Sequence, residues 1–515
     1  MNSVAPEALR TAPLAEWEEA RYLLPPLILG IVLLWIVPMS SSLGLDESGN
    51  WWVVKDGVRE MLVRARVWPG GQSVLFNLFV IGARSIGGDS DVAMRIPSLL
   101  MTMGTLVLIY RLGKRLAGPL AGMFSCLIFV AMREVIYVAS TVRPYALAIL
   151  LVTGAMLALM NWLDSGELRY AGMYVVLAAL TAYATFLYGV MFLVHAAYAI
   201  VRMRMRDTPV RPAALAGAWI ASGILMLPLA AQVLSAYSRR AGETYLSTPN
   251  VEELLASIIP PVVAGAIGLG VIVALALRKP MAGSLQPFPH SWVLAVWALT
   301  PPAILLGLSF ATDLRLFAGR YYLANAPGVA LALGSILSRL EPNWLRRFVA
   351  SAIVISAILM YGINEHFMRG LHDYRGAVAA VREQVKDEPE TPVIVMSGFN
   401  ESKNLANVLD PTLSEPLFAP LLRYRIPGHL IPVPLSPFEE DNPYIDQVFT
   451  TTLRNERKFL VVGLFNAEFL RVWLLGRGRE MGFHVRSHEN YNEVVVVVFE
   501  RGIESPVEHP RDVAR

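Results

Sequence analysis

The sequence predicts an α-helical polytopic membrane protein of about eleven spans, thirteen at the upper count, with a C-terminal extracytoplasmic α/β domain. Three observations predict it. Hydrophobic residues fill 55% of 515 positions and charged residues only 17%, whereas soluble domains carry about a quarter charged. Apolar runs recur along the first 364 residues, most of them long enough for a hydrocarbon core that needs about 20. From Glu365 onward charges, prolines and short β-rich runs replace them.

The elements follow in order. Residues 1–21 contain Glu7, Glu16, Glu18 and Glu19, and no small-residue cleavage site follows the first apolar run. They read as a cytoplasmic N-terminal segment ahead of a retained anchor, not as a secretory signal. Spans fall near 22–40, 94–110, 118–132, 146–161, 171–185, 186–201, 213–233, 253–277, 291–310, 321–338 and 348–364. The basic clusters Arg111/Lys114/Arg115, Arg202/Arg204/Arg206, Arg278/Lys279 and Arg346/Arg347 all lie in the cytoplasm if the positive-inside rule holds.

Residues 73–87 carry Arg84 and number about 15, too few to cross, so they read as a helix lying in the interface. The span count is then odd. The N-terminus is cytoplasmic and the C-terminal domain lies on the outer face of the inner (plasma) membrane. The transmembrane domain covers 22–364, its first outer loop (41–93) includes interfacial helices, and 365–515 forms the outer domain. Arg64, Arg66, Arg239, Arg240, Arg315 and Arg320 run against the charge bias, and some are candidates to bind an anionic ligand.

In the last 150 or so residues, enough for an independent core, 392–398, 458–464 and 492–500 read as strands. Helical patterns cover 375–387 and 467–482. The single cysteine, Cys126, excludes an intrachain disulfide. A net charge of +3 with no basic block gives no reason to expect a nucleic-acid partner.

Four constellations face outward in this topology. Asp46 and Glu47 stand where the uncharged run 22–45 ends, and a carboxylate at a water–lipid boundary can take a proton from an acceptor hydroxyl. A solvated helix terminus is the plain alternative. Trp51, Trp52 and Trp68 beside them suit membrane anchoring. Arg95 opens a later span in Arg95-Ile96-Pro97-Ser98, either as a ligand-binding group or as a snorkelling cation. Arg143 and Tyr145 flank Pro144 at the start of another and can contact a polar headgroup. Arg315, Arg320 and Tyr321 precede a late span. Guanidinium offers paired donors to phosphate oxygens and keeps its charge, although an interfacial anchor would look the same.

The ordered set of Asp46-Glu47, RIPS (95–98), RLGKRLAG (111–118), RPYAL (143–147), RYYLANAP (320–327) and DYRGAVAAVRE (373–383) resembles the GT-C superfamily of membrane glycosyltransferases. The likeness is to its protein O-mannosyltransferase and aminoarabinose transferase branch, and it covers nearly the whole chain. The resemblance implies a hexosyl- or pentosyltransferase that uses a polyprenyl-phosphate-linked sugar on the outer face. The acceptor would be a lipid, a polysaccharide or a protein. It implies Asp46 as general base or acceptor-orienting acid with Glu47 as companion, and Arg320 and Tyr321 on the lipid phosphate; Arg143 or Arg95 is a further candidate to meet the phosphate charge.

Two departures from the family pattern stand out. Trp68-Pro69-Gly70-Gly71 replaces a His-Pro-Pro-like element, and Thr141 stands where relatives often carry a carboxylate two residues before the RPY arginine. Glu134 is a candidate substitute. Any metal or other cofactor is left open between a divalent cation and none. The alternative function is a transporter or flippase of an anionic lipid or polar solute. It would call for mid-span charges and matched halves, which the sequence does not display.

Overall fold

The computed structural model describes residues 20, 23–67, 73–238, 251–277, 282–283, 291–312, 316–362, 372–435, 442–464, 476 and 478–502. The chain divides into two compact units. A helical unit comprises Met1–Met39 and Gln72–Asn364, and a sheet unit joins Ser40–Gly71 to Glu365–Arg515. The linear domain order therefore differs at one place, since the stretch after the first span packs with the C-terminal domain.

Among the described residues, seven helices are long and apolar enough to cross a bilayer, or nine if each of two bent pairs is one span. The bent pairs are Pro119–Val130 with Arg133–Ala139 and Glu252–Ile258 with Pro261–Ala276, each turning by 76°. Two further expected spans are shorter helices. Leu168–Ala184 has 17 residues, and 319–337 runs as a short helix, a 3-10 turn and then Ala326–Leu337. The expected interfacial segment is the 14-residue helix Val74–Gly87, about 21 Å long and so too short for a span. Arg84 pairs there with Asp89 at 2.9 Å. Arg278, Lys279, Arg239 and Arg240 lie outside the described residues.

The two ends of the helical unit differ chemically. Arg115 and Arg202, from two of the expected cytoplasmic clusters, converge on Asp164, and Arg202 also pairs with Asp207 at 2.9 Å. Toward the opposite end of the same helices, about 26 Å from Arg115 along Asp91–Ala117, the Ser98 hydroxyl donates to the Thr141 carbonyl at 2.6 Å. Helices approach closely where side chains are absent. A Cβ on Gly113 would stand 2.5 Å from the Gly122 Cα, so neither position can carry one.

Proline removes a backbone donor from two helical segments, and one side chain meets both freed carbonyls. Pro261 and Pro302 have no N–H, so the carbonyls of Ser257 and Ala298, four residues earlier, lose their helical donors. The Asn325 amide donates to both, at 2.9 and 3.1 Å, from a position 1% exposed. In an apolar surrounding each such carbonyl would otherwise carry a desolvation cost of about 1–3 kcal/mol.

The sheet unit holds β1 (Pro392–Met396), β2 (His429–Val433), β3 (Lys458–Leu464), β4 (Phe483–Tyr491) and β5 (Val494–Arg501), in the order β2-β1-β3-β5-β4. β1 is parallel to β2 and β3, while β5 is antiparallel to β3 and β4. The central strands are buried on both faces, which explains their unbroken apolar runs. Phe459 stacks on Phe499 at 4.6 Å and meets Phe483 edge-on at 4.9 Å. The helix expected at 375–387 runs Tyr374–Gln384, whereas most of 467–482 lies outside the described residues.

Asn325→Asp, which exchanges the double donor for an acceptor at constant shape, is expected to lower the thermal midpoint in detergent by more than about 5 °C. An unchanged midpoint would remove Asn325 from this role.

Candidate functional site

An acidic candidate cluster belongs to the sheet unit. The helix Leu45–Val54 opens at Gly44, whose backbone is extended (φ −71°, ψ 178°). Glu47 turns back from the third helical position and accepts the Gly44 N–H at 2.9 Å, satisfying a donor that the helix start leaves open. Glu47 is 4% exposed, whereas Asp46 beside it is half-buried. The adjacent carboxylates thus differ in role, for Glu47 caps the helix and Asp46 is the more accessible acid. Both sit in a first turn, where the helix dipole favours negative charge.

The segment before this helix is pinned by several bonds within the unit. The Leu43 N–H donates to the Tyr424 hydroxyl at 2.7 Å, Ser42 donates to the His372 carbonyl at 3.2 Å, and Arg375 donates to the Ser40 carbonyl at 3.2 Å. Tyr374 is buried close by. Burial first, then the carboxylates of Glu493 and Asp46, hold its phenol well above the usual range. Trp51 and Trp52 are 9% and 6% exposed, which corrects their reading as membrane anchors. They pack inside the sheet unit, with the Arg423 guanidinium 5.4 Å from the Trp51 ring and that of Arg64 4.7 Å from Trp52. Trp68 lies outside the described residues.

A separate cationic candidate cluster belongs to the helical unit. Arg143 and Tyr145, at the start of Tyr145–Ser165, lie side by side, with the guanidinium 5.6 Å from the ring and 3.4 Å from the hydroxyl. Tyr145–Ser165 packs against the turn Leu323–Asn325 that follows Tyr321, and Gly319–Tyr322 packs against Phe186–Val190. Arg320 lies 5.1 Å over Tyr321, and its carbonyl accepts the Tyr188 hydroxyl at 3.0 Å. Sequence positions 143–145, 188 and 320–321 therefore meet at one end of the unit. The Thr141 carbonyl, held by Ser98 and by the Arg143 N–H at 2.9 Å, fixes the turn that presents Arg143. Tyr188 and Asn325 were not singled out by sequence reasoning. Asn325 stood inside a quoted element and faces two proline-freed carbonyls, a signal that spacing alone could have supplied.

Arg95 takes a different place. It is 2% exposed, and its guanidinium donates to the Met39 carbonyl at 3.0 Å and the Pro38 carbonyl at 3.5 Å. A cation on the terminal carbonyls of Leu23–Ser40 complements the helix dipole, and its burial does not match a snorkelling side chain. Glu134 lies against the Arg320 turn. A Cβ on Gly319 would be 3.0 Å from the Glu134 Cγ, so glycine there admits the acid. The Thr141 hydroxyl is buried without a hydrogen-bond partner. Arg315 lies outside the described residues. Among the described residues no group of three His, Cys, Asp or Glu side chains could hold a metal ion.

The family of dolichyl-phosphate-mannose-protein mannosyltransferases matches residues 72–231. In structure the chain is similar to ArnT from Cupriavidus metallidurans bound to undecaprenyl phosphate, at a TM-score of 0.51 and 11% identity over 93% of this chain and 98% of that one. The apo state of ArnT aligns at 0.51 and 12% identity over the same shares. The arabinofuranosyltransferase AftD from Mycobacteria aligns at 0.48 and 15% identity, over 94% of this chain and 40% of that one. No curated protein matches the sequence.

Arg95→Gln is expected to cost about 2–3 kcal/mol of stability, because it withdraws a charged donor from buried carbonyls. Comparing its denaturation with that of Arg320→Gln checks this, and equal stability of Arg95→Gln and the parent would return Arg95 to the ligand-binding set.

Proposed function

We propose that this chain, whose fold is that of the GT-C membrane glycosyltransferases, transfers a sugar from a polyprenyl-phosphate-linked donor to an acceptor hydroxyl at the outer membrane face, with inversion. The observation that carries the reading is the gathering of the Arg143–Tyr145 and Arg320–Tyr321 pairs at one end of the helical unit. Two guanidinium groups with phenols between them suit a phosphate monoester or diester. The undecaprenyl phosphate bound in ArnT supports the same ligand class.

In the reaction, Asp46 accepts the proton of the acceptor hydroxyl as its oxygen forms a bond to the anomeric carbon. The bond from that carbon to the phosphate oxygen breaks, its electron pair stays on oxygen, and polyprenyl phosphate departs from the opposite face. Arg320 and Arg143 meet the charge that gathers on the leaving phosphate. Tyr321 and Tyr145 hold those guanidinium groups in place, and Glu134 borders the turn that carries Arg320. Arg95 acts at a distance by tying Leu23–Ser40 to Asp91–Ala117.

The orientation belongs to the same proposal. Arg115, Arg202 and Asp164 mark the cytoplasmic end, the Arg143–Arg320 cluster marks the outer end, and the sheet unit lies outside the cytoplasm. The positive-inside rule supports this placement, as does the convergence of two basic clusters at one end.

Transfer is measured with purified protein in lipid, using a panel of polyprenyl-phosphate sugars and membrane extract as acceptor. Asp46→Asn is expected to lose about 10²–10⁴-fold in rate, and Arg320→Ala about 10²–10³-fold. Full activity in Asp46→Asn would remove it as the base, and no transfer by the folded parent from any donor would favour a transporter. For orientation, Cys126→Ser removes the only thiol. A cysteine at exposed Thr412 should then react with a membrane-impermeant maleimide in intact cells whose outer face is accessible, and labelling only after lysis would invert the topology.

A further inference from the structure

Tyr491 pairs with Val494 across β4 and β5, so Asn492 and Glu493 form a two-residue hairpin turn. Their φ values are 45° and 66°, both in the left-handed region. Such a turn favours Asn followed by Gly. Asn492 suits its place, whereas Glu493 occupies the position where glycine is favoured. A strained backbone that carries a functional side chain invites a search for what that side chain does.

The Glu493 carboxylate lies 3.4 Å from Nε2 of His372. The same hairpin is tied to this segment through the Asp373 N–H, which donates to the Tyr491 carbonyl at 3.1 Å. The His372 ring is 5.9 Å from that of Tyr374. A Cβ on Gly44 would stand 3.7 Å from His372 Nδ1 and 3.6 Å from Glu47 Oε2, which places the imidazole against the start of the helix bearing Asp46. Both Asp46 and Glu493 act on Tyr374. The groups gathered here are Asp46 and Glu47 from the first helix of the unit, Glu493 and Tyr491 from the hairpin, Asp373, Tyr374 and Arg375 from the later helix, and Tyr424.

We propose that His372, held by Glu493, is a positioning residue for Asp46, its imidazolium supplying the counter-charge for the carboxylates that converge at the start of that helix. Asp46, Glu47 and Glu493 repel one another when ionised, and a single imidazolium among them offsets the repulsion. It leaves Asp46 ionised and able to accept a proton. This inference rests on Asp46 as the base. His372 touches neither substrate nor reacting atoms in it. The sign follows from the charges, because carboxylates favour protonated His372, so the support is present at low pH and is lost as pH rises through the histidine's own titration.

The test is histidine NMR of the full chain, labelled at the imidazole and held in lipid nanodiscs, with the His372 signal found by its loss in His372→Gln among eight histidines. Asp46→Asn and Glu493→Gln are each expected to lower the His372 titration midpoint by about 0.5 unit or more. A midpoint unmoved by Asp46→Asn overturns the proposal. In transfer assays, the alkaline fall of kcat/KM should move to lower pH in Glu493→Gln and vanish in His372→Gln, and a fall unchanged in His372→Gln overturns it equally. Glu493→Gly relieves the turn, so it should raise the thermal midpoint and yet slow transfer about tenfold. A stabilised variant with undiminished transfer counts against the role. Full transfer by Asp46→Asn with the NMR coupling intact would instead sink the base assignment alone.

Discussion

Inside an apolar unit, a carbonyl released by proline must be met by a donor from the protein itself, and much of the helical unit answers to that constraint. Pro261 and Pro302 open two helices, and Asn325 closes both gaps with one amide. The neighbouring Trp297 indole donates to the Ala324 carbonyl at 2.8 Å, so the turn before Ala326–Leu337 is held from two sides. That turn begins at Gly319–Tyr322, the element that carries Arg320. The position of the cation therefore depends on how proline-freed carbonyls are satisfied a turn or two away.

The acidic and the cationic clusters are built by different means. In the helical unit, buried hydrogen bonds from Ser98 and Tyr188 fix the backbone at Thr141 and Arg320, and aromatic rings then flank the guanidinium groups. In the sheet unit, a helix start does the work. Glu47 satisfies the open N–H of Gly44, which leaves Asp46 at the more accessible first-turn position. A residue that completes local structure thus stands next to a more accessible acid.

Much of this was legible beforehand. Uncharged runs marked the helices because lipid excludes charge, and buried strands such as Pro392–Met396 and Val494–Arg501 showed as unbroken apolar stretches. β2 and β4 were missed for a common reason. Both are sheet edges, where His429 and Pro432, or His484, Arg486 and His488, are tolerated and the apolar signal fades. At the site, Asp46, Arg143, Arg320 and Tyr321 stood out as charges or aromatics at the ends of apolar runs. Residue chemistry alone did not separate Asp46 from Glu47, which only the family resemblance told apart, because a reach-back hydrogen bond makes the physical difference. Nor could it reveal that Arg95 serves the end of another helix, since Met39 lies 56 positions away.

The account's central claim is a division of labour, with donor phosphate held by the Arg143–Arg320 cluster and proton transfer done by Asp46. Equilibrium binding of polyprenyl phosphate to the parent, Asp46→Asn and Arg320→Ala tests it most directly. The account predicts that Asp46→Asn binds as the parent does and Arg320→Ala binds at least about tenfold more weakly. Weakened binding in Asp46→Asn together with parental binding in Arg320→Ala would contradict it.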